Sequence, residues 1–273
     1  MAFSYTEITS RKNEKIIWAC RLSDKKNRDA EGVFFTEGIK LLEEALMSHL
    51  EVEKIFFTSK ALCVYADTLE KADAKEYILV SDEVFEKLTD EKAPQGVFAV
   101  IKKPVSSPFS MESINEGGFI ILDDIQNPLN LGAIFRCAYS LGSTKIVLSR
   151  GCADVYNPKT LRSAMGSVFK CSFHIYDDIC AFIGELKNSA NRVYCTHLHS
   201  DSLVLGSFEF ESSDSIVMGN EGHGISEKVL EASTGSVIIP MSEGAESLNA
   251  ATASAIIIWE MNKAKNKTTP EKL

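Results

Sequence analysis

Twice along this chain, short continuous apolar runs alternate with stretches whose apolar residues recur at helical spacing. Apolar runs of roughly four to eight residues between helical stretches are the pattern of strands covered on both faces, as in a parallel sheet layered with helices. The fold class is therefore α/β. In the first series, the spacing predicts a helix from Ile8 to Leu22, a strand at Gly32-Val-Phe-Phe-Thr, a helix over Gly38 to Ser48 and a strand over Lys54 to Thr58. A helix from Ala61 to Lys71, a strand from Tyr77 to Val80, a helix from Asp82 to Leu88 and a strand from Gly96 to Ile101 complete it. The segment Lys102-Lys-Pro-Val-Ser-Ser-Pro-Phe has no periodicity and reads as a linker. The second series has strands at Gly118-Phe-Ile-Ile-Leu-Asp-Asp, Lys145 to Leu148, Arg192 to Thr196, Ser215 to Met218 and Ser236 to Ile239, and a last helix from Ser247 to Lys263. The expected organisation is a first domain over 1–101, a linker over 102–116, a second domain over 117–265 and a tail over 266–273.

Composition narrows the class. The formal charge of −9 argues against indiscriminate coating of nucleic acid, which needs a net basic surface. A local basic patch is compatible with it: Arg11, Lys12, Lys15, Arg21, Lys25, Lys26 and Arg28 face only Glu14 and Asp24 in that stretch. No apolar run approaches the ~18 residues that span a bilayer, and the N-terminus lacks a signal-peptide core, so a cytoplasmic protein without membrane partners is expected. The seven cysteines are scattered singly, which suggests neither a disulfide framework nor a metal site.

In open α/β sheets the chemistry sits in loops beyond the carboxyl ends of strands. Three such loops are unusual here. In Asp123-Asp-Ile-Gln-Asn-Pro-Leu-Asn-Leu-Gly-Ala-Ile-Phe-Arg, the helix after the turn has an apolar stripe of Leu131, Ile134, Phe135, Ala138 and Leu141, with Arg136 roughly opposite. A guanidinium there can bind a phosphate or a developing oxyanion, although a solvated helix arginine would look the same. Asn127 or Asn130 suits a helix cap. In Ile216-Val-Met-Gly-Asn-Glu-Gly-His-Gly-Ile-Ser, glycines surround Glu221 and let the backbone wrap a small molecule. His223 is a possible general base there, without a metal-ligating neighbour at the usual spacing. In Ile239-Pro-Met-Ser-Glu-Gly-Ala-Glu-Ser-Leu-Asn-Ala-Ala-Thr-Ala, Ser247 and Asn249 precede a small-residue helix, where they could cap it or hold a nucleoside edge.

In this order and spacing, the loops resemble the three motifs of the SpoU (TrmH) family of RNA 2′-O-ribose methyltransferases of the SPOUT class. The residues that carry the match are Asn130-Leu-Gly with Arg136, Gly219-Asn-Glu-Gly, and Ile239-Pro-Met followed by Glu246-Ser-Leu-Asn. Residues 1–101 also resemble the ribosomal-protein-like substrate-binding domain found ahead of that catalytic domain, most clearly at Glu37-Gly-Ile-Lys-Leu-Leu-Glu-Glu-Ala.

The resemblance implies a parallel-sheet catalytic domain tied in a trefoil knot, preceded by a small α/β RNA-binding domain. It implies S-adenosylmethionine as cofactor, held by Thr196, Gly219, Gly222, Ile239, Met241 and Leu248. Catalytic positions would be Asn130, Arg136, Glu221, Ser247 and Asn249, some supplied by the partner in a homodimer. Arg11, Lys12, Lys25, Lys26 and Arg28 are the expected RNA contacts, and no metal is implied. Ribosomal RNA is the expected substrate; transfer RNA, or a non-catalytic RNA-binding factor of the same fold, are the alternatives.

Overall fold

The computed structural model describes residues 3–197, 201–242, 244 and 247–263. The expected tail at 266–273, together with Glu246 of the third motif, lies outside the described residues. The chain divides into two compact units, residues 1–105 with 154–169, and residues 106–153 with 170–273.

The first unit runs β1 (Thr6–Ile8), α1 (Glu14–Arg21), α2 (Lys25–Glu31), β2 (Val33–Glu37), α3 (Ile39–Met47), β3 (Val52–Phe57), α4 (Ser59–Lys71), β4 (Glu76–Val80), α5 (Asp82–Leu88) and β5 (Val97–Lys102). Among the described residues its strands form a five-stranded sheet in the order β1-β4-β3-β5-β2, parallel except for β5, which runs against both neighbours. The helix expected from Ile8 begins only at Glu14. Ile8 instead pairs with Val80 in the sheet, and the Asn13 carboxamide starts α1 by accepting from the Lys15 amide. Gly32, at φ 65°, ends α2 in the left-handed region that glycine adopts most easily, and the chain turns into β2.

All five residues of β2 are buried. Phe35 stacks on Phe98 at 4.6 Å, whereas Phe34 faces the other way and stacks on Tyr156 at 4.7 Å. This second face explains why residues 154–169 belong to the first unit although the sequence pattern groups them with the second. Arg162 also reaches Glu37 at 3.4 Å.

The second unit contains α6 (Met111–Glu116), β6 (Ile120–Leu122), α7 (Pro128–Ser140) and β7 (Lys145–Ser149); α8 (Pro158–Ala164) follows within the 154–169 segment. It continues with β8 (Ser172–Tyr176), α9 (Ile179–Asn188), β9 (Val193–Thr196), β10 (Leu203–Val204), β11 (Ser215–Met218), α10 (Glu227–Ala232), β12 (Gly235–Ile238) and α11 (Ala250–Met261). Among the described residues these strands form a seven-stranded sheet, ordered β10-β12-β9-β11-β6-β7-β8 and parallel throughout. Its central strands β6 and β11 are buried along their length, as a sheet covered on both faces requires. The three motif loops follow β6, β11 and β12, on the same edge of the sheet.

Candidate active site

Pro128 opens α7 at a position where its missing N–H costs nothing, and the Asn127 carboxamide caps the helix by accepting from the Leu129 amide. That turn carries Asn130 inward, where it is 9% exposed. Its Nδ2 donates to Glu221 Oε1 at 2.8 Å, and its Oδ1 accepts from Asn249 Nδ2 at 3.0 Å. Asn249 Oδ1 accepts in turn from the amides of Ala251 and Thr252, at 2.9 and 3.3 Å. The chain of bonds dictates both carboxamide orientations: a carboxylate can only accept from Asn130, and a backbone N–H can only donate to Asn249. Asn249, not Ser247, is thus the cap of α11.

Glu221 sits in a turn closed by reciprocal backbone bonds between Asn220 and Gly224, at 3.1 and 3.0 Å. The glycines here have a steric cause. A Cβ on Gly219 would lie 2.6 Å from the Gly224 carbonyl, so no other residue fits without moving the backbone.

Beside this network lies a cavity of about 360 Å³, within the ~300–1,000 Å³ span of small-molecule sites. Thr196, Gly219, Gly222, Ile239, Met241 and Leu248 line it, and so do Glu221 and Ser247. Apolar walls from Ile239 and Leu248 suit a flat base, and the glycine turn presents backbone groups to polar atoms. The residues present therefore fit a nucleoside-bearing cofactor such as S-adenosylmethionine. His197, Met218 and Ala253 also line the cavity; Met218 at the end of β11 and Ala253 within α11 look like core in the sequence, and His197 follows β9 with no motif around it.

Arg136 is not brought to this network. It is exposed on α7, without an ion-pair partner among the described residues. Of the expected RNA contacts, Arg11, Lys12, Lys25 and Lys26 are exposed, and Arg11 is paired with Glu86. Arg28 corrects the expectation. It is 1% exposed, donates to the carbonyls of Leu22 and Ser23, and pairs with Asp154, so it has no face left for RNA. Helical spacing could not show this, because its partner lies 126 residues away. Among the described residues no His, Cys, Asp and Glu cluster could hold a metal ion, and no helix is long and apolar enough to cross a membrane.

The pattern of the SpoU rRNA Methylase family matches residues 118–259, and that of the MRM3-like substrate binding domain matches residues 13–99. The chain is 32% identical to the 23S rRNA (guanosine(2553)-2′-O)-methyltransferase RlmP of Bacillus subtilis (strain 168), over 93% of this chain and 98% of that one. It is 26% identical to the 23S rRNA (uridine(2479)-2′-O)-methyltransferase of Streptomyces viridochromogenes, over 96% of this chain and 95% of that one. Among solved structures, the AdoMet-bound rRNA methyltransferase from Sinorhizobium meliloti superposes with a TM-score of 0.84 at 26% identity, over 95% of this chain and 98% of that one. The chain belongs to the SpoU rRNA methylase family of S-adenosylmethionine-dependent RNA 2′-O-ribose methyltransferases.

Proposed function

We propose that this chain methylates a ribose 2′-hydroxyl of ribosomal RNA, in the cytoplasm and as a homodimer. The observation that carries the reading is the Glu221–Asn130–Asn249 chain, whose carboxylate end lines the cavity. Ribosomal RNA is favoured by the relatives, both of which are named for 23S rRNA, and by the substrate-binding domain over residues 13–99.

Bound S-adenosylmethionine supplies an electrophilic methyl on a sulfonium centre. The chain's own residues orient the acceptor and handle its charge. Asn130, Glu221 and Asn249 form a pre-bonded wall that positions the ribose, with Ser247 beside it, and positioning alone can supply ~7 to 11 kcal/mol of a barrier. A guanidinium keeps its proton in proteins, so Arg136 acts as a cation rather than a base. It holds a phosphate next to the target nucleotide and stabilises the oxygen as the O–H proton leaves through that phosphate or a water. Thr196, Gly219, Gly222, Ile239, Met241 and Leu248 would hold the cofactor, which would give its methyl to the ribose oxygen and be left as a neutral thioether.

The dimer completes this site. Since Arg136 lies outside the Asn130 network of its own chain, a second copy supplies it. An apolar face supports the association: α7 packs on α11, and together they expose Leu129, Tyr139, Ile256 and Trp259. The trefoil knot belongs to the same reading. Exposed Lys12, Lys25 and Lys26 serve as phosphate contacts of the substrate-binding unit.

The test is transfer of labelled methyl from S-adenosylmethionine to ribosomal and transfer RNA from cells lacking the protein, with mapping of alkali-resistant linkages. Label at one resistant position in ribosomal RNA is expected. Label confined to transfer RNA, or a protein that binds no cofactor, would overturn the reading.

A further inference from the structure

His223 and Asp124 belong to two motif loops, and neither has a part in the reaction derived above. They meet across 99 residues of sequence: His223 Nε2 lies 3.1 Å from Asp124 Oδ2. The same carboxylate oxygen accepts from Asn220 Nδ2 at 3.2 Å, and the Asp124 backbone carbonyl accepts from that nitrogen at 2.8 Å. Asn220 Oδ1 accepts from the amides of Gly222 and His223, at 2.7 and 3.2 Å. Asp124 therefore holds the turn from two sides, and Glu221 and Gly222 lie between the points of attachment.

Two further observations indicate that the carboxylate itself is needed here. Asp124 has φ 58°, a left-handed conformation that glycine, without a Cβ, adopts at no steric cost. Opposite it, a Cβ on Gly151 would come within 2.1 Å of Asp124 Oδ1, so the absence of a side chain at 151 makes room for the carboxylate.

We propose that Asp124 is a positioning residue for methyl transfer, clamping the 220–224 turn through Asn220 and His223 so that Glu221 reaches Asn130. This inference rests on the methyltransferase reading for its chemistry and on geometry alone for the clamp. The test separates them with two variants. Asp124→Gly removes the carboxylate and relieves the positive φ, which protects the fold. Gly151→Ala leaves Asp124 in the chain and displaces its carboxylate.

The first measurement is amide hydrogen exchange over residues 219–225 in the purified protein without RNA. Both variants are expected to exchange there about tenfold faster, with the rest of the second unit unchanged. Wild-type exchange in both would overturn the clamp whatever the activity. The second measurement is single-turnover methylation of ribosomal RNA. Asp124→Gly is expected to lower the rate by about tenfold to a hundredfold. In a Glu221→Gln background the same substitution is expected to change it less than about twofold, because the clamp acts through Glu221. An undiminished effect in that background would mark Asp124 as merely structural and overturn the positioning role. Faster exchange together with a wild-type protein that methylates no RNA would keep the clamp and overturn the reaction it serves.

Discussion

Arg28 and Arg136 carry the same guanidinium, and burial divides their work. Arg28 is enclosed with Asp154, and removing one partner of a buried pair leaves an uncompensated charge. Arg28→Met is expected to cost about 3 kcal/mol in chemical denaturation, and adding Asp154→Leu to recover most of that loss. An unchanged midpoint in the single variant would contradict the enclosed geometry. Arg136 is exposed and without an ion-pair partner among the described residues, as the phosphate-binding role proposed above requires. Arg136→Lys keeps the charge and loses the planar fork, so measurable turnover with a steeper pH dependence is expected; complete loss at every pH would favour a role in proton abstraction. Glu37 provides a third case. Burial pushes its carboxyl above the ordinary value of 4.5, against the Thr89 hydroxyl and Arg162, which pull it down. The folded state therefore holds this proton more tightly than the unfolded chain. The stability it contributes is full below pH 4.5 and is lost as pH rises through the raised value. Thermal melts of Glu37→Gln should lack that part of the decline.

At the scale of elements, α11 shows how one residue serves a helix and a site together. Asn249 caps α11 with its oxygen and donates to Asn130 with its nitrogen. Asn249→Asp keeps the capping oxygen and has no donor for Asn130, so melting should shift little while turnover falls at least about tenfold. Asn249→Ala loses both and should also cost about 1 kcal/mol of stability. If the two variants lose equal stability, the cap is not what holds that end of α11. The helix itself was legible in the sequence, because Asn-Ala-Ala-Thr-Ala followed by Ile256, Ile257 and Ile258 is apolar nearly all round. The sequence places its start three residues early, at Ser247 instead of Ala250, since serine and asparagine cap equally well in sequence. The sequence pattern places no helix between Leu22 and Gly32, because the charges of α2 conceal that Arg28 is core.

For the molecule as a whole, the homodimer proposed above is testable at the exposed apolar residues of α7 and α11, which a second copy would cover while supplying Arg136. Trp259 is 51% exposed, so Trp259→Glu places a charge in that face without disturbing a core. Light scattering is expected to show a dimer for wild type and a monomer for the variant, with methyl transfer lost alongside. A fully active monomer would mean that each chain completes its own site.

The sequence by itself determined the α/β layering, the three loops and most of the residues that line the cavity or meet at Asn130, since each depends on local chemistry. Strand-length apolar runs need cover, a proline after asparagine starts a helix, and a glycine such as Gly219 stands where backbone passes too close for a side chain. Tertiary structure alone decided which of these residues touch. Glu221 and Asn130 are 91 residues apart, Asn249 and Asn130 are 119 apart, and the 154–169 segment packs on β2 through Phe34 and Tyr156. Periodicity reports only how a residue faces within its own element. Contacts at such separations arise when the sheet brings the ends of β6, β11 and β12 to one edge, and that ordering of strands is a property of the packed chain.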